Sequence, residues 1–389
     1  MQSIWVHNYF SQSEFDRRLH AVRKQMAKRE LEVLLVSSPE NIFYLTGLDH
    51  QGHFAYQMLI IPARGKMILI TRAMEKVVIK EQVGRLAVWY GFADHEDSAM
   101  FTAARMKDHH LGNKRIGMEK DHAFFAVRDA ETLVAKLRNA TFVDGSGIIE
   151  DLRDCKSPRE LEYTKKAAHA SDAAMQAAHD VARVGVSVQD VAAELYKAMI
   201  QAGSEIPGFA PFVHSPNNMH QEHASWNPYV LKRGDPLAIC VSGCYRRYHA
   251  PETRVVYMDQ APEGAEDLMR VNLKANEALT TAIKPGTTAA DAYNAWQTAV
   301  DQAGINYHRH HCGYITGIGF PPSWVGGAKV RSLRAESGQV LRVGMVFHLE
   351  SWINLGHPAD PFVSNTAILK EDGLEIITHT PMDKLVIKS

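Results

Sequence analysis

The chain has 389 residues, of which 46% are apolar and 22% charged. That length is near the limit of a single hydrophobic core, so two domains are expected, and the composition excludes a disordered chain. With 43 Lys and Arg against 44 Asp and Glu, the formal charge is -1, without the basic excess of a nucleic-acid binder. The longest apolar runs, Met58–Pro62 and Met67–Ile70, are far too short to span a membrane. The start of the chain, Met1 to Trp5, leads into His7 and Asn8 where a signal peptide needs its apolar stretch. A cytoplasmic protein is expected.

In chain order, Phe15, Leu19, Val22 and Met26 recur at helical spacing, and Val33 to Val36 follows as a short buried strand. Strands are expected over 56–61 and 66–70, joined by Pro62-Ala63-Arg64-Gly65. Such alternation argues an α/β arrangement for residues 1–150. Ser157-Pro158-Arg159-Glu160 combines a capping Ser, a Pro at the first helical position and a Glu two residues later. It predicts a long Ala-rich helix to about Arg183 that stops near Gly185.

Beyond that point the chain repeats itself. Displaced by 101 residues, Gly185, Asp190, Ala198, Gln201, Ala202 and Gly203 recur as Gly286, Asp291, Ala299, Gln302, Ala303 and Gly304. Ser187 and Thr288 stand as matching helix caps, each with Asp three residues later. Two helix–strand units of this kind predict a duplicated α+β domain with a cleft between its halves.

Cys155, Cys240, Cys244 and Cys312 are too few for a disulfide scaffold, and their spacing fits no zinc motif. Histidines are abundant, 20 in all, and cluster at His214, His220 and His223, at His249, and at His308, His310 and His311. Read as strand, residues 307–312 alternate faces, so that last cluster does not converge on one ion.

Four segments stand out: Asn41-Ile42-Phe43-Tyr44-Leu45-Thr46-Gly47; Gly234-Asp235 with the strand Pro236 to Val241 and then Tyr248-His249-Ala250-Pro251-Glu252-Thr253-Arg254; Gly313-Tyr314-Ile315-Thr316-Gly317; and Gly344-Met345-Val346-Phe347-His348-Leu349-Glu350. With Leu152-Arg153 and Lys156-Ser157-Pro158, this set resembles the creatinase/prolidase family of pita-bread hydrolases over nearly the whole chain. The resemblance implies an α/β N-terminal domain over residues 1–155 and a duplicated α+β pita-bread catalytic domain over 156–389. It also implies a homodimer in which the partner's N-terminal domain helps close the site. The stretch His50 to Tyr56, with His53 as its substrate-binding candidate, is where that contribution is expected.

Metal-dependent members of that family bind two ions through two Asp, one His and two Glu. Carried onto this chain, those places hold Cys240, Pro251, Tyr314, Glu350 and Ser364, and only Glu350 keeps its ligand. A site for two hard ions needs several carboxylates, so no metal and no cofactor is expected. Creatinase and the ectoine-hydrolase-like branch of the family work without metals on guanidine and cyclic amidine carbons. The stretch Ser242 to Pro251, with Arg309 and Gly319 to Trp324, resembles the ectoine-hydrolase-like branch.

The family's catalytic His falls on His223, twelve residues before Asp235, and an imidazole with a pKa of about 6.5 moves protons at neutral pH. Cys240 reads either as a nucleophile, which requires a depressed thiol pKa, or as filler after the ligand was lost. Glu350 is expected to pair with a cationic substrate nitrogen or to protonate the leaving amine. Tyr314, His249, Glu252, Arg254 and Arg309 are substrate-binding candidates, His249 and Arg309 for a carboxylate. The reading is thus a metal-independent hydrolase of a C–N bond in a small amidine or guanidine, without nucleic-acid or membrane partners. The alternatives are an Xaa-Pro-type metallopeptidase or an inactive member that binds a ligand.

Overall fold

The computed structural model describes residues 9–327 and 329–389, so the leader reading, which rests on residues 1–8, lies outside the described residues. The chain divides into two compact units, one ending at Arg153 and including Gly327 and Lys329, the other starting at Asp154.

The first unit carries α1 (Gln12–Lys28), β1 (Val33–Val36), α2 (Pro39–Thr46), β2 (Met58–Pro62), β3 (Met67–Arg72), α3 (Lys76–Gln82), β4 (Ala87–Phe92), α4 (Ser98–Asp108), β5 (Arg115–Met118), α5 (Val127–Lys136), β6 (Thr141–Asp144) and α6 (Ile148–Arg153). Its strands form one six-stranded sheet in the order β4-β3-β2-β1-β5-β6. The two strands predicted on either side of Pro62 pair antiparallel. Its core packs Val33, Leu35, Ile60, Ile68, Ile70 and Ile116 against Ala103, Met106 and Leu133. The Asn41 motif has a structural task here. Buried Asn41 donates to Glu119 and Glu150 at 2.7 and 2.6 Å and accepts from Arg153 at 2.7 Å, tying α2 to β5 and α6.

The second unit carries α7 (Pro158–Val181), α8 (Val188–Gln201), β7 (Phe212–His214), β8 (Pro236–Tyr245), β9 (Tyr248–Met258), α9 (Ala265–Ala282), α10 (Ala289–Gln302), β10 (Gly313–Ile315), β11 (Val346–Trp352), β12 (Phe362–Lys370), β13 (Gly373–Ile376) and β14 (Val386–Lys388). The predicted helix start holds: Glu160 accepts the Ser157 amide at 2.8 Å, and α7 ends two residues before its expected limit. Helices α8 and α10 are the repeat made visible. Their bounds differ by 101 residues at both ends, their caps are Ser187 and Thr288, and Gly185 and Gly286 precede them at φ 88 and 92°, where a Cβ is disfavoured.

One sheet runs β10-β11-β12-β9-β8-β7, with β13 on β12 and β14 on β9. Each half of the duplication covers its share of one face. Leu237, Ile239 and Val241 meet α7 and α8, while Phe347, Leu349 and Ala367 meet α9 and α10. Side chains alternate along a strand, so the intervening residues, Cys240 and Ser242 on β8, His348 and Glu350 on β11, turn to the opposite face.

Strand β8 runs past its predicted end at Val241 into a tight hairpin with β9. Its two turn residues, Arg246 and Arg247, both have positive φ, 50 and 64°. This is a conformation that two-residue hairpins need and that Asn and Gly usually supply. Here Glu205 holds the Arg246 amide at 2.8 Å and its guanidinium at 3.1 Å, and the Arg247 guanidinium lies 4.4 Å over the Phe320 ring.

Candidate active site

Strand register builds the site. Phe212 pairs with Cys240, Cys240 with Thr253, Thr253 with Ser364 and Ser364 with Glu350, so one row of side chains crosses five strands on one face. Two residues along lies a second row, in which Ser242 pairs with Pro251, and Thr366 and Tyr314 flank His348. The five places that the resemblance assigns to metal ligands, Cys240, Pro251, Tyr314, Glu350 and Ser364, therefore share one face.

What fills that face is a chain of hydrogen bonds. Trp324 donates its indole N–H to the Tyr314 hydroxyl at 2.8 Å, Tyr314 meets His348 Nδ1 at 2.8 Å, and His348 Nε2 meets Ser364 Oγ at 2.7 Å. Ser364 donates onward to Thr253 at 2.8 Å, the strand partner of Cys240. Because Ser364 gives its proton to Thr253, His348 must donate from Nε2, and Nδ1 accepts from Tyr314. Burial, with His311 and Arg309 nearby, holds His348 well below the ordinary imidazole value, so it is neutral.

Glu350 sits at one side of this chain. Its Oε1 lies 3.3 Å from His348 Nδ1, and its Oε2 lies 3.4 Å from His311 Nδ1 and 3.6 Å from an Arg309 nitrogen. The Gly313 amide donates to His311 Nδ1 at 3.3 Å, so that nitrogen also presents no proton to the carboxyl. Burial foremost raises Glu350 to about 7, against the pull of Arg309. Burial first and then Arg309 hold His311 down to about 3. Neither ring nitrogen donates a proton to the carboxyl, and burial favours its protonated form.

Phe209, Phe212 and Trp324 wall the cleft with Cys240 and Tyr314. The Trp324 ring centroid is 4.8 Å from Phe209 and 5.6 Å from Phe212. His223 stands exposed at the edge of this wall, 6.2 and 6.0 Å from the Phe209 and Phe212 rings.

The sequence-expected residues separate into two groups. Cys240, Tyr314, Glu350 and Arg309 come together, with His223 at the rim. Cys240 is not poised as a thiolate: burial foremost, with Glu350 and Glu252 adding to it, pushes its thiol up to about 12. Tyr314 spends its hydroxyl on His348 and Trp324 rather than on substrate.

His249, Glu252 and Arg254 are corrections. His249 is fully buried, accepts the Gly208 amide at 2.8 Å and reaches the Gly317 carbonyl at 3.3 Å. Burial holds it down to about 3, so it carries no charge for a carboxylate. Glu252 and Arg254 lie on the face covered by helices, one strand position out of phase with Thr253. Arg254 binds the carbonyls of Thr253 and Ser364 at 2.7 Å and of Pro381 at 3.0 Å, which pins the C-terminal segment to the sheet. Residues 307–312 are loop and not strand, with His310 and His311 rings 4.3 Å apart. His53, in the first unit, points Nδ1 at the His50 carbonyl at 2.9 Å.

The sequence reading missed His348, Thr253, Glu222 and the role of His311. His348 was findable: it lies two residues before Glu350 on one strand and so shares its face.

These residues do not fit a dinuclear metal centre. Pro251 offers no donor, Ser364 and Tyr314 are hydrogen-bonded into the chain and carry no carboxylate, both His348 nitrogens are used, and Glu350 is the one carboxylate left among the five places. Among the described residues, no three His, Cys, Asp or Glu side chains are grouped to hold an ion.

Residues 162–373 match the metallopeptidase family M24, and residues 18–155 match the creatinase/prolidase N-terminal domain. The chain is 25% identical to an ectoine hydrolase from Halomonas elongata, over 97% of this chain and 98% of that one. It is 28% identical to an uncharacterised hydrolase/peptidase from Sinorhizobium fredii, over 98% and 99% of the two chains. An Xaa-Pro dipeptidase from Bacillus anthracis superposes with a TM-score of 0.83 at 21% identity, covering 96% of this chain and all of that one. The fold is the pita-bread fold, preceded by an α/β N-terminal unit.

Proposed function

This chain belongs to metallopeptidase family M24 and is a hydrolase of that family, and from that premise we propose that it cleaves, without metal, a C–N bond in a small amidine or guanidine. The observation that carries the reading is Glu350: a buried carboxyl raised to about 7, standing among residues that replace a metal-ligand set. The likeness to an ectoine hydrolase over almost the full length of both chains supports the same substrate class. An amidinium carbon is already electron-poor, so its attack by water depends less on a Lewis acid than attack on a peptide carbonyl does.

His223, at the rim, takes a proton from the attacking water as the C–O bond forms. Glu350 delivers its proton to the departing nitrogen as the C–N bond breaks, and the second water proton passes to the released amine as the carbonyl forms. This leaves an amide (from an amidine) or a urea (from a guanidine) and an ammonium, and Glu350 is then reprotonated from His223 through solvent. The walls of Phe209, Phe212 and Trp324 suit a flat, delocalised cation. Cys240 is a neutral part of the floor. We also infer a cytoplasmic homodimer, on the family resemblance.

The test is amine release from ectoine, creatine and an Xaa-Pro dipeptide by purified protein, with light scattering on the same sample. Turnover of an amidine or guanidine and a mass of two chains are expected. Cleavage of the dipeptide alone would establish the peptidase reading, and no turnover of any would favour a ligand-binding protein.

A further inference from the structure

We propose that Glu222 is a displaceable internal ligand of an anion subsite at Arg309, and that a carboxylate on the substrate takes its place. The inference rests on the hydrolase reading only for where the reacting group then lies.

The two partners are held very unequally. The Arg309 side chain is 1% exposed, that of Glu222 40%. Arg309 is fixed from below, its guanidinium 4.8 Å over the Trp352 ring and its main-chain carbonyl bonded by Tyr293 at 2.6 Å. Glu222 sits on residues 215–229, which form neither helix nor strand. Its carboxylate oxygens reach the two terminal nitrogens of Arg309 at 3.3 and 3.4 Å, longer than the roughly 2.7–2.9 Å of a well-formed charge-assisted pair. The third donor, Arg309 Nε, is buried and without a hydrogen-bond partner. A buried unmet donor is costly, and a free carboxylate, unconstrained by a loop, can take the two terminal nitrogens at closer range than Glu222 does.

Exchange of one carboxylate for another leaves the local charge unchanged, so Arg309 is never left unpaired. The place is also right for catalysis. Arg309 lies 3.6 Å from the Glu350 carboxyl, so a small zwitterion anchored there by its carboxylate has its cationic end beside the acid and the aromatic wall. Because Glu222 and His223 are consecutive, displacement of the first repositions the second. A substrate bearing a carboxylate thereby sets the histidine that is to act on its water, and a compound lacking one does not.

Acetate and its uncharged analogue acetamide are the probes, titrated into the full-length protein with isotope-labelled arginine side chains and followed by the Arg309 Nε–H signal, assigned by its loss in Arg309→Lys. Acetate is expected to shift that signal saturably and acetamide to leave it unmoved. Glu222→Gln and Glu222→Ala, both at an exposed position, should tighten acetate binding about tenfold, the usual scale of a hydrogen-bonded charge contact. Unchanged acetate affinity in both Glu222 variants, or equal responses to acetate and acetamide, would overturn the proposal and make the pair a fixed structural ion pair. No turnover enters this readout, so its failure and that of the hydrolase reading are separately visible.

Discussion

Burial acts on Glu350 and Cys240 in the same direction, yet it equips one for proton transfer and disables the other as a nucleophile. Raised to about 7, Glu350 keeps a proton to give on the acid side of neutrality; pushed up to about 12, Cys240 holds its own throughout that range. Cys240→Ala should therefore keep turnover within about threefold, whereas Glu350→Gln should lose at least about a hundredfold, the lower range for general acid catalysis. A thioimidate-type adduct of Cys240 detected by mass spectrometry during turnover would reverse that assignment. The pH profile follows from the sign. Glu350 is the donor only below about 7, so turnover should decline as pH rises through 7. Glu252 is likewise raised to about 7 by burial. A carboxyl whose folded-state pKa lies above its unfolded value of about 4.5 contributes stability that is full below 4.5 and lost as pH climbs through 7. The protein should be less stable to denaturant at pH 8 than at pH 5, and Glu252→Gln should flatten the difference; an undiminished slope in the variant would place its origin elsewhere. Glu350 was legible in the sequence through its motif. The protonation of Cys240 was not, because the groups that bury it, Phe212, Tyr314 and Trp324, come from distant segments.

Local elements were legible where their determinants were local. The caps Ser187 and Thr288, the glycines that precede them and the 101-residue displacement predicted α8 and α10 from neighbouring residues alone. The two caps are unequal in the structure. Ser187 accepts one amide, that of Gln189 at 3.1 Å. Thr288 accepts the Asp291 amide at 3.1 Å while Asp291 takes the Thr288 amide at 2.8 Å, a reciprocal box. Thr288→Ala should cost about 1–2 kcal/mol and Ser187→Ala about 1 kcal/mol or less, by urea denaturation; a larger loss at Ser187 would contradict this ordering. The β8–β9 hairpin was hidden because its turn residues, Arg246 and Arg247, carry no turn signal, and Glu205 and Phe320, far along the chain, hold them there. The misplacement of Glu252 and Arg254 was avoidable. Period two along β9 sets them on the opposite face from Pro251, the position assigned to the cleft.

At the scale of the whole molecule, the order of motifs and the internal repeat showed the kind of fold, and the matches to the M24 family and to its N-terminal domain agree with it. What a linear reading could not supply is register across the sheet. That register alone sets Cys240, Thr253, Ser364 and Glu350 in one row and puts His348 among the vacated ligand positions. The hydrogen-bond chain from Trp324 to Thr253 draws on β9, β10, β11 and β12 and a loop, so no single segment announces it. On the proposed function, His223 and Glu350 do the work of the site without metal. The most direct test is to measure metal content and amidine turnover on one chelator-treated preparation. Turnover undiminished, with divalent metal far below one ion per chain, is the predicted result. Two ions per chain before chelation, and turnover that vanishes with them and returns on their addition, would contradict it.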